Sequence, residues 1–276
     1  MLLQAASRRT PAKRNAIFFI SLLFDTMPSI PMIVTPIQTV PIHANEFKLT
    51  DVLHTYLQEL KEHEVLVITS KIISLCEGNV VDDSVPRDTL IGKESDYYIA
   101  EKNPYEFHMT IKNNTLIAST GVDLSNGDGH YVLWPKNLQK SANEVREYLC
   151  ARFGIKEVGV VITDSHVMPL RWGTVGTCIA HSGFSALNSY IGTPDLFGRK
   201  LKVTNSNVAE GLAASAVLCM GEGAECTPLT KISDVPFVHF QDRNPTSEEL
   251  SHLAISMKED IFSPLLTAVS WKKGNQ

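Results

Sequence analysis

The sequence contains no Cys-x-x-Cys pair, no apolar run long enough to cross a bilayer and no basic stripe. Each absence removes a class of function. The five cysteines, Cys76, Cys150, Cys178, Cys219 and Cys226, are odd in number and widely separated, so neither a zinc site nor a disulfide framework is indicated. Most stand among apolar neighbours, as reduced core thiols do, and a reducing, cytoplasmic compartment fits them. The apolar run 16–24 is only nine residues long, too short for a membrane span. A formal charge of −5, with no Lys/Arg stripe carrying interleaved aromatics, leaves no footprint for nucleic acid. Internal repeats, low-complexity tracts and long linkers are lacking as well.

The N-terminus is the one departure from plainness. Arg8, Arg9, Lys13 and Arg14 precede the 16–24 run and superficially resemble a signal peptide, but Asp25-Thr26-Met27-Pro28 follows in place of a small-x-small cleavage site. Met27 and Met32 are alternative starts. Residues 1–30 therefore read as an extension, disordered or a mis-assigned start, and 31–276 as one domain.

What is present describes a globular α/β protein of mixed α+β type: 43% hydrophobic and 20% charged residues in 276, enough for one large core or two modest lobes. Strands are expected at 32–34, within 36–42, at 65–68, 116–118, 131–134, 160–162, 201–204 and 237–240. Helices are expected from Thr50-Asp51, from a Ser141/Glu144 capping box to Gly154, from Asn205 or Ser206 to Met220, and from a Thr246/Glu249 capping box onward. The small-residue stretch 173–183 reads as backbone able to approach a ligand. Residues 86–114 have the poorest pattern and read as a surface region or an acceptor-binding flap.

Chemistry concentrates where strands end. Val160-Val161-Ile162 runs into Thr163-Asp164-Ser165, with Arg171 shortly after, and ligands in α/β sheets collect beyond carboxyl ends of strands. Val65-Leu66-Val67-Ile68 likewise runs into Thr69-Ser70-Lys71. A second acid, Asp123, follows the strand 116–118, and a third stands in the glycine turn Gly221-Glu222-Gly223. Asp123, Asp164 and Glu222, with the Ser165 hydroxyl, are hard oxygen donors suited to Mg²⁺ or Mn²⁺. Gly221 and Gly223 leave room for backbone around phosphate oxygens. Lys71 and Arg171 would neutralise phosphates or the charge developing on a transferred group. Asp123-x-Ser125-x-Gly127 is not a calcium loop, because Asp128 and Trp134 stand where Gly and Glu are needed. Spacing alone leaves phosphoryl transfer, metal-assisted hydrolysis and nucleotide-driven ligation open. His166 and His181 read as structural or solvent-facing, since nothing pairs them with a base.

Five segments in order carry a resemblance. Glu64 with VLVITSK, Ile72-Ile73-Ser74 and Glu77-Gly78 come first, then Gly121-Val122-Asp123-x-Ser125-Asn126. Val161-Ile162-Thr163-Asp164-Ser165 with Arg171 follows, then Asp195-Leu196-x-Gly198-Arg199-x-Leu201-x-Val203-Thr204, and last Met220-Gly221-Glu222-Gly223. Together, from about Thr35 to Ile232, they resemble the coenzyme F-420-0:L-glutamate ligase family. The resemblance implies a two-lobed γ-glutamyl ligase fold with a metal and nucleotide cleft, assembled as an intertwined homodimer. It implies two divalent ions, Mg²⁺ or Mn²⁺, held at Asp123, Asp164, Ser165 (a Thr in the usual pattern) and Glu222. Nucleotide contacts are implied at Thr39, Val40, Pro41, Ile42, Ser70, Lys71 and Asn126, and at Leu218, Gly221, Gly223 and Ala224 within 218–225.

The activity implied is addition of L-glutamate to the terminal carboxylate of a cofactor through an acyl phosphate formed from GTP, or ATP. The acceptor is of the coenzyme F-420-0 type or a folate; no nucleic acid or membrane partner is expected. Leu75 stands where the family commonly has a Lys in an S-K-x-x-S-K pattern, which leaves GTP versus ATP open. The same departure motivates the alternative of a non-catalytic nucleotide- or metal-binding paralogue; a metal-dependent phosphohydrolase is the other alternative.

Overall fold

The strand β1 (Ile33–Ile37) is followed by helix α1 (Leu49–Tyr56), whose Val52 and Leu53 are buried. These elements come from a computed structural model that describes residues 31–274; the reading of residues 1–30 as an extension lies outside them. The apolar β2 (Val65–Thr69) passes directly into α2 (Ser70–Glu77), which stops at Gly78 with φ 62. Glycine adopts that left-handed conformation without a Cβ clash. Next come β3 (Val80–Asp82), α3 (Arg87–Glu94), β4 (Tyr97–Lys102), β5 (His108–Lys112) and β6 (Thr115–Ala118). A 3₁₀ turn at Ser119–Gly121 and β7 (His130–Val132) lead to the long α4 (Leu138–Phe153). The hairpin of β8 (Gly159–Val167) and β9 (Thr174–Ser182) precedes the shorter pair β10 (Leu187–Ser189) and β11 (Asn205–Asn207). The described chain continues through α5 (Val208–Met220), β12 (Leu229–Ser233), α6 (Ser247–Leu253), α7 (Ser263–Leu266) and β13 (Lys272–Lys273).

A five-stranded sheet in the order β1-β12-β2-β8-β9 forms the centre. Only β2 and β8 run parallel; the other neighbours are antiparallel. Both central strands are apolar at successive positions because both faces of the sheet are covered. Side chains alternate across a strand. Leu66, Ile68, Val160 and Ile162 pack with Leu53, Ile73 and Leu149 of α1, α2 and α4. Val65, Val67 and Val161 pack with Leu212, Ala213 and Ala216 of α5 on the opposite face. Fully burying each of the larger side chains contributes about 1.5–3 kcal/mol. The result is a mixed α/β architecture. An antiparallel sheet, β13-β4-β5-β6, is built from residues 97–118 and the C-terminal strand.

Several boundaries differ from the sequence reading. Helix α4 begins at Leu138, capped by Asn137, whose side chain accepts from the Lys140 amide. Ser141 lies inside the helix and donates to the Asn137 carbonyl and to Glu77. The Thr246/Glu249 capping box is present as expected. Residues 173–183 are not a loose ligand-binding backbone but largely strand β9, whose Ile179 joins the core. Residues 201–204 form no strand; pairing falls on Asn205–Asn207, and Asn207, not Asn205 or Ser206, caps α5. The late strand at 237–240 reduces to one bridge between Phe240 and Phe184.

Candidate active site

Asp164 is not at a strand end. Strand β8 continues to Val167 along β9, while its parallel pairing with β2 stops at Thr163, opposite Thr69. A register shift between Ile162 and Thr163 falls at the same place. The acid therefore sits where one neighbour strand has ended, which is what opens a cavity there. Of this carboxylate, Oδ2 accepts from Trp134 Nε1 and Oδ1 from the Ser165 amide at 2.8 Å. Burial pushes its pKa up to about 6, against the lowering effect of those two donors and of Lys71.

Asp123 is presented by an unusual turn. Ser119, Thr120 and Gly121 have φ of 51, 57 and 70, a conformation strained for the two non-glycine residues. A Cβ on Gly121 would lie 2.2 Å from Trp134 Nε1 and 2.8 Å from Asp164 Oδ2, so only glycine permits this approach. Lys71 Nζ, in the first turn of α2, donates to Asp123 Oδ2 at 2.6 Å, Ser125 O at 2.7 Å and Ser125 Oγ at 3.1 Å. Burial acts to raise the Asp123 pKa, but the Lys71 charge and hydrogen bond, with those from Ser125, hold it below the usual carboxylate value.

The glycine turn after α5 closes the third side. Ser165 Oγ lies 2.9 Å from both oxygens of Glu222. Asn126, itself at φ 54, donates through Nδ2 to the Gly223 carbonyl at 3.0 Å. The Thr39 amide donates to the Cys226 carbonyl at 2.7 Å, which ties the segment after β1 to the exit of the turn.

These groups line one cavity of about 1040 Å³. Thr39, Val40, Pro41, Ile42, Lys71, Asp123, Asn126, Asp164, Ser165, Arg171, Gly221, Glu222, Gly223 and Ala224 all face it. Two expected contacts do not: Ser70 is buried at the start of α2, and Leu218 is exposed on α5. His166 lines the cavity, whereas His181 is buried in β9 against the Phe184 ring. Leu75 is 3% exposed and forms an apolar wall with Ile72 and Ile117. The sequence reading missed Arg87, Tyr105, Phe107 and Trp172, which also line the cavity. For Tyr105 and Phe107 the only signal was the aromatic content of the poorly patterned 86–114 segment; Arg87 and Trp172 carried none.

The oxygen donors suit Mg²⁺ or Mn²⁺ in kind, because all are hard and face one space. They do not form a closed cage: no cluster of three His, Cys, Asp or Glu able to hold a metal occurs among the described residues. An open set fits ions whose coordination is completed by water and substrate phosphates, the usual habit of Mg²⁺.

Residues 37–234 match the family model described as F420-0:Gamma-glutamyl ligase. The Coenzyme F420:L-glutamate ligase of a Methanococcus maripaludis strain is 33% identical over 234 residues, covering 79% of this chain and 91% of that protein. The protein of the same name from Methanocaldococcus jannaschii is 32% identical over 240 residues, 79% of this chain and 90% of its own length. That from Archaeoglobus fulgidus is 31% identical over 212 residues, 71% and 84% respectively. The protein is thus an enzyme, an amide-bond-forming ligase. The matched residues include all of β2, β8, β9 and β12 of the central sheet and the last residue of β1. The chain belongs to the F420-0:gamma-glutamyl ligase family.

Proposed function

We propose that this ligase joins L-glutamate to the terminal carboxylate of a cofactor of the coenzyme F420-0 type, or of a folate, at the expense of GTP or ATP. The observation that carries the proposal is the convergence of Asp123, Asp164, Ser165 and Glu222 with the 221–224 turn on one cavity, in a chain of this family. A carboxylate oxygen of the acceptor attacks the γ-phosphorus and the nucleoside diphosphate leaves. The glutamate amine then attacks the acyl carbon, phosphate departs, and the amide forms with loss of one amine proton. Two divalent ions held by the four oxygen donors would spread the charge of the phosphates.

The remaining roles belong to the chain's own residues. Backbone at Gly221, Gly223 and Ala224, with Asn126 and the 39–42 segment, cradles the phosphates and nucleoside. Lys71 holds Asp123 ionised and in place through its hydrogen bond. Arg171 faces the cavity from the turn between β8 and β9, where its charge is available to a phosphate or carboxylate. No side-chain nucleophile is needed, since the acceptor supplies it.

We also propose a cytoplasmic homodimer. Free cysteines support the compartment, and no helix among the described residues is long and apolar enough to cross a membrane. Leu196 and Phe197, 98% and 95% exposed in the turn between β10 and β11, support the second chain. A non-catalytic reading draws on Leu75, which places an apolar wall where a cation is usual in the family. Incubation with nucleotide, Mn²⁺, radiolabelled glutamate and each acceptor tests the proposal. Label entering one acceptor with stoichiometric phosphate release is expected. Phosphate release without glutamate would instead mark a phosphohydrolase, and no turnover with any nucleotide a binding paralogue.

A further inference from the structure

The cavity, about 1040 Å³, lies at the upper end of the range of small-molecule sites, typically about 300–1,000 Å³. Its nucleotide-side residues are knit together by the Thr39–Cys226 and Asn126–Gly223 hydrogen bonds. A different set of residues forms another part of the wall, and none of the roles assigned above uses it.

Tyr105, in the turn between β4 and β5, meets Trp172, in the turn between β8 and β9, edge to face with ring centroids 5.9 Å apart. Both rings line the cavity yet remain 62% and 88% exposed. Two residues on, Phe107 carries the Arg87 guanidinium over its ring at 5.1 Å. Arg87 also donates from a terminal nitrogen to the Val122 carbonyl at 2.9 Å, immediately before Asp123. No carboxylate among the described residues pairs with it, and its Nε is buried with no partner there. Contacts thus run from Phe107 through Arg87 to the carbonyl just before Asp123, and Tyr105, which meets Trp172, stands two residues from Phe107 in the chain.

We propose that Tyr105, Trp172 and Arg87 form the acceptor subsite, with the two rings receiving a planar heteroaromatic system and Arg87 receiving its carboxylate arm. The proposal rests on the ligase reading above and adds where the acceptor binds and what chemistry selects it. Exposed aromatic faces stack on any planar π system. A guanidinium with no protein carboxylate offers a planar fork to a substrate carboxylate. Because Arg87 is anchored beside Asp123, a carboxylate bound there lies next to the site of phosphoryl transfer. Leu75, Ile72 and Ile117 leave no competing cation on the apolar wall they form.

Equilibrium binding on the full chain tests this with coenzyme F420-0, a monoglutamyl folate and GTP as probes. In the Tyr105→Ala/Trp172→Ala double variant the Kd of the preferred acceptor should rise about tenfold or more, with GTP affinity held within about twofold. Tyr105→Phe/Trp172→Phe should restore acceptor binding. Arg87→Lys should erase the wild-type preference for the acceptor acid over its methyl ester. Loss of GTP affinity with acceptor binding intact would assign the rings to the nucleotide base and overturn the proposal. So would unchanged binding of an acceptor that the wild type binds, or equal weakening of acid and ester by Arg87→Lys for the carboxylate contact. A wild type that binds neither acceptor would overturn the function reading together with this subsite.

Discussion

Lys71 Nζ lies 2.6 Å from Asp123 Oδ2, so the cation at the head of α2, expected to neutralise phosphates, is engaged by one of the acids expected to hold a metal. With side chains 23% and 47% exposed, the pair is too accessible to contribute much to stability; exposed pairs give about 0–1 kcal/mol. Its value is positional. Lys71→Met should therefore lower glutamate-dependent phosphate release by roughly a hundredfold, the order seen when one electrostatic element is lost, with a small change in melting temperature. Lys71→Arg should recover part of the rate.

Asp164→Asn separates catalysis from folding. The folded-state pKa of about 6 lies above the ordinary aspartate value of 3.8, so ionisation opposes folding as pH rises through that window. At pH 7.5 the neutral Asn should melt near the wild-type temperature, because removing the buried charge offsets the loss of one acceptor: the amide oxygen still accepts from Trp134, but the amide nitrogen cannot accept from Ser165. Turnover should nonetheless fall by roughly a hundredfold or more. Calorimetry and a phosphate-release assay on one preparation check this. An early-melting variant with normal turnover would sink the metal-ligand assignment.

Gly121→Ala should be damaging although it adds one methyl group. The new Cβ would intrude on Trp134 Nε1 and Asp164 Oδ2 at φ 70. Overpacking of this kind costs about 1–3 kcal/mol, and displacement of Asp164 should remove activity beyond what the stability loss explains. Urea melts alongside turnover measured well below the midpoint would distinguish the two.

His181 gives the fold an acid limit. Burial pulls its pKa from 6.5 to about 4, against a weaker opposing pull from Glu249. The neutral imidazole therefore supports the fold above pH 6.5, and that support is lost as pH falls toward about 4. The shift corresponds to about 3 kcal/mol. His181→Gln, uncharged at every pH, should flatten the decline in melting temperature across this window.

Leu196→Asp with Phe197→Asp should leave the fold of one chain intact, since both side chains are almost wholly exposed. Light scattering should report a dimer for wild type and a monomer for the double variant. A monomeric wild type would refute the proposed assembly.

How much of this was legible depends on how strongly a residue's surroundings are written into its neighbours. The continuous apolar runs at 65–68 and 160–162 identify the two central strands because burial on both faces removes every polar option. The acids and the glycine turn were legible from residue type and resemblance, and the cavity gathers them. Helix α3 and strands β4 and β5 were not legible. No residue of β4 is buried, β5 buries the polar His108 and Thr110, and α3 buries only the adjacent Leu90 and Ile91, so hydrophobic periodicity is weak. Asp164 was placed at a strand end because the apolar run stops at Ile162; pairing with β2 does stop at Thr163, and that β9 carries the strand onward is a long-range fact. Tyr105 and Trp172 lie far apart in sequence and carry no joint signal, so only the fold could pair them.

The order β1-β12-β2 places the last strand of the central sheet between two of the earliest. During synthesis β1 and β2 emerge with nothing to join them, and the slot between them stays open until residues near 230 leave the ribosome. The link from Thr39 to Cys226 closes only then. Such non-local closure is slow, and the proposed phosphate cradle cannot be complete before it. A chain that ends before residues near 230 should therefore lack the proposed nucleotide site, and hydrolysis by incomplete chains would be forestalled by the order of assembly alone.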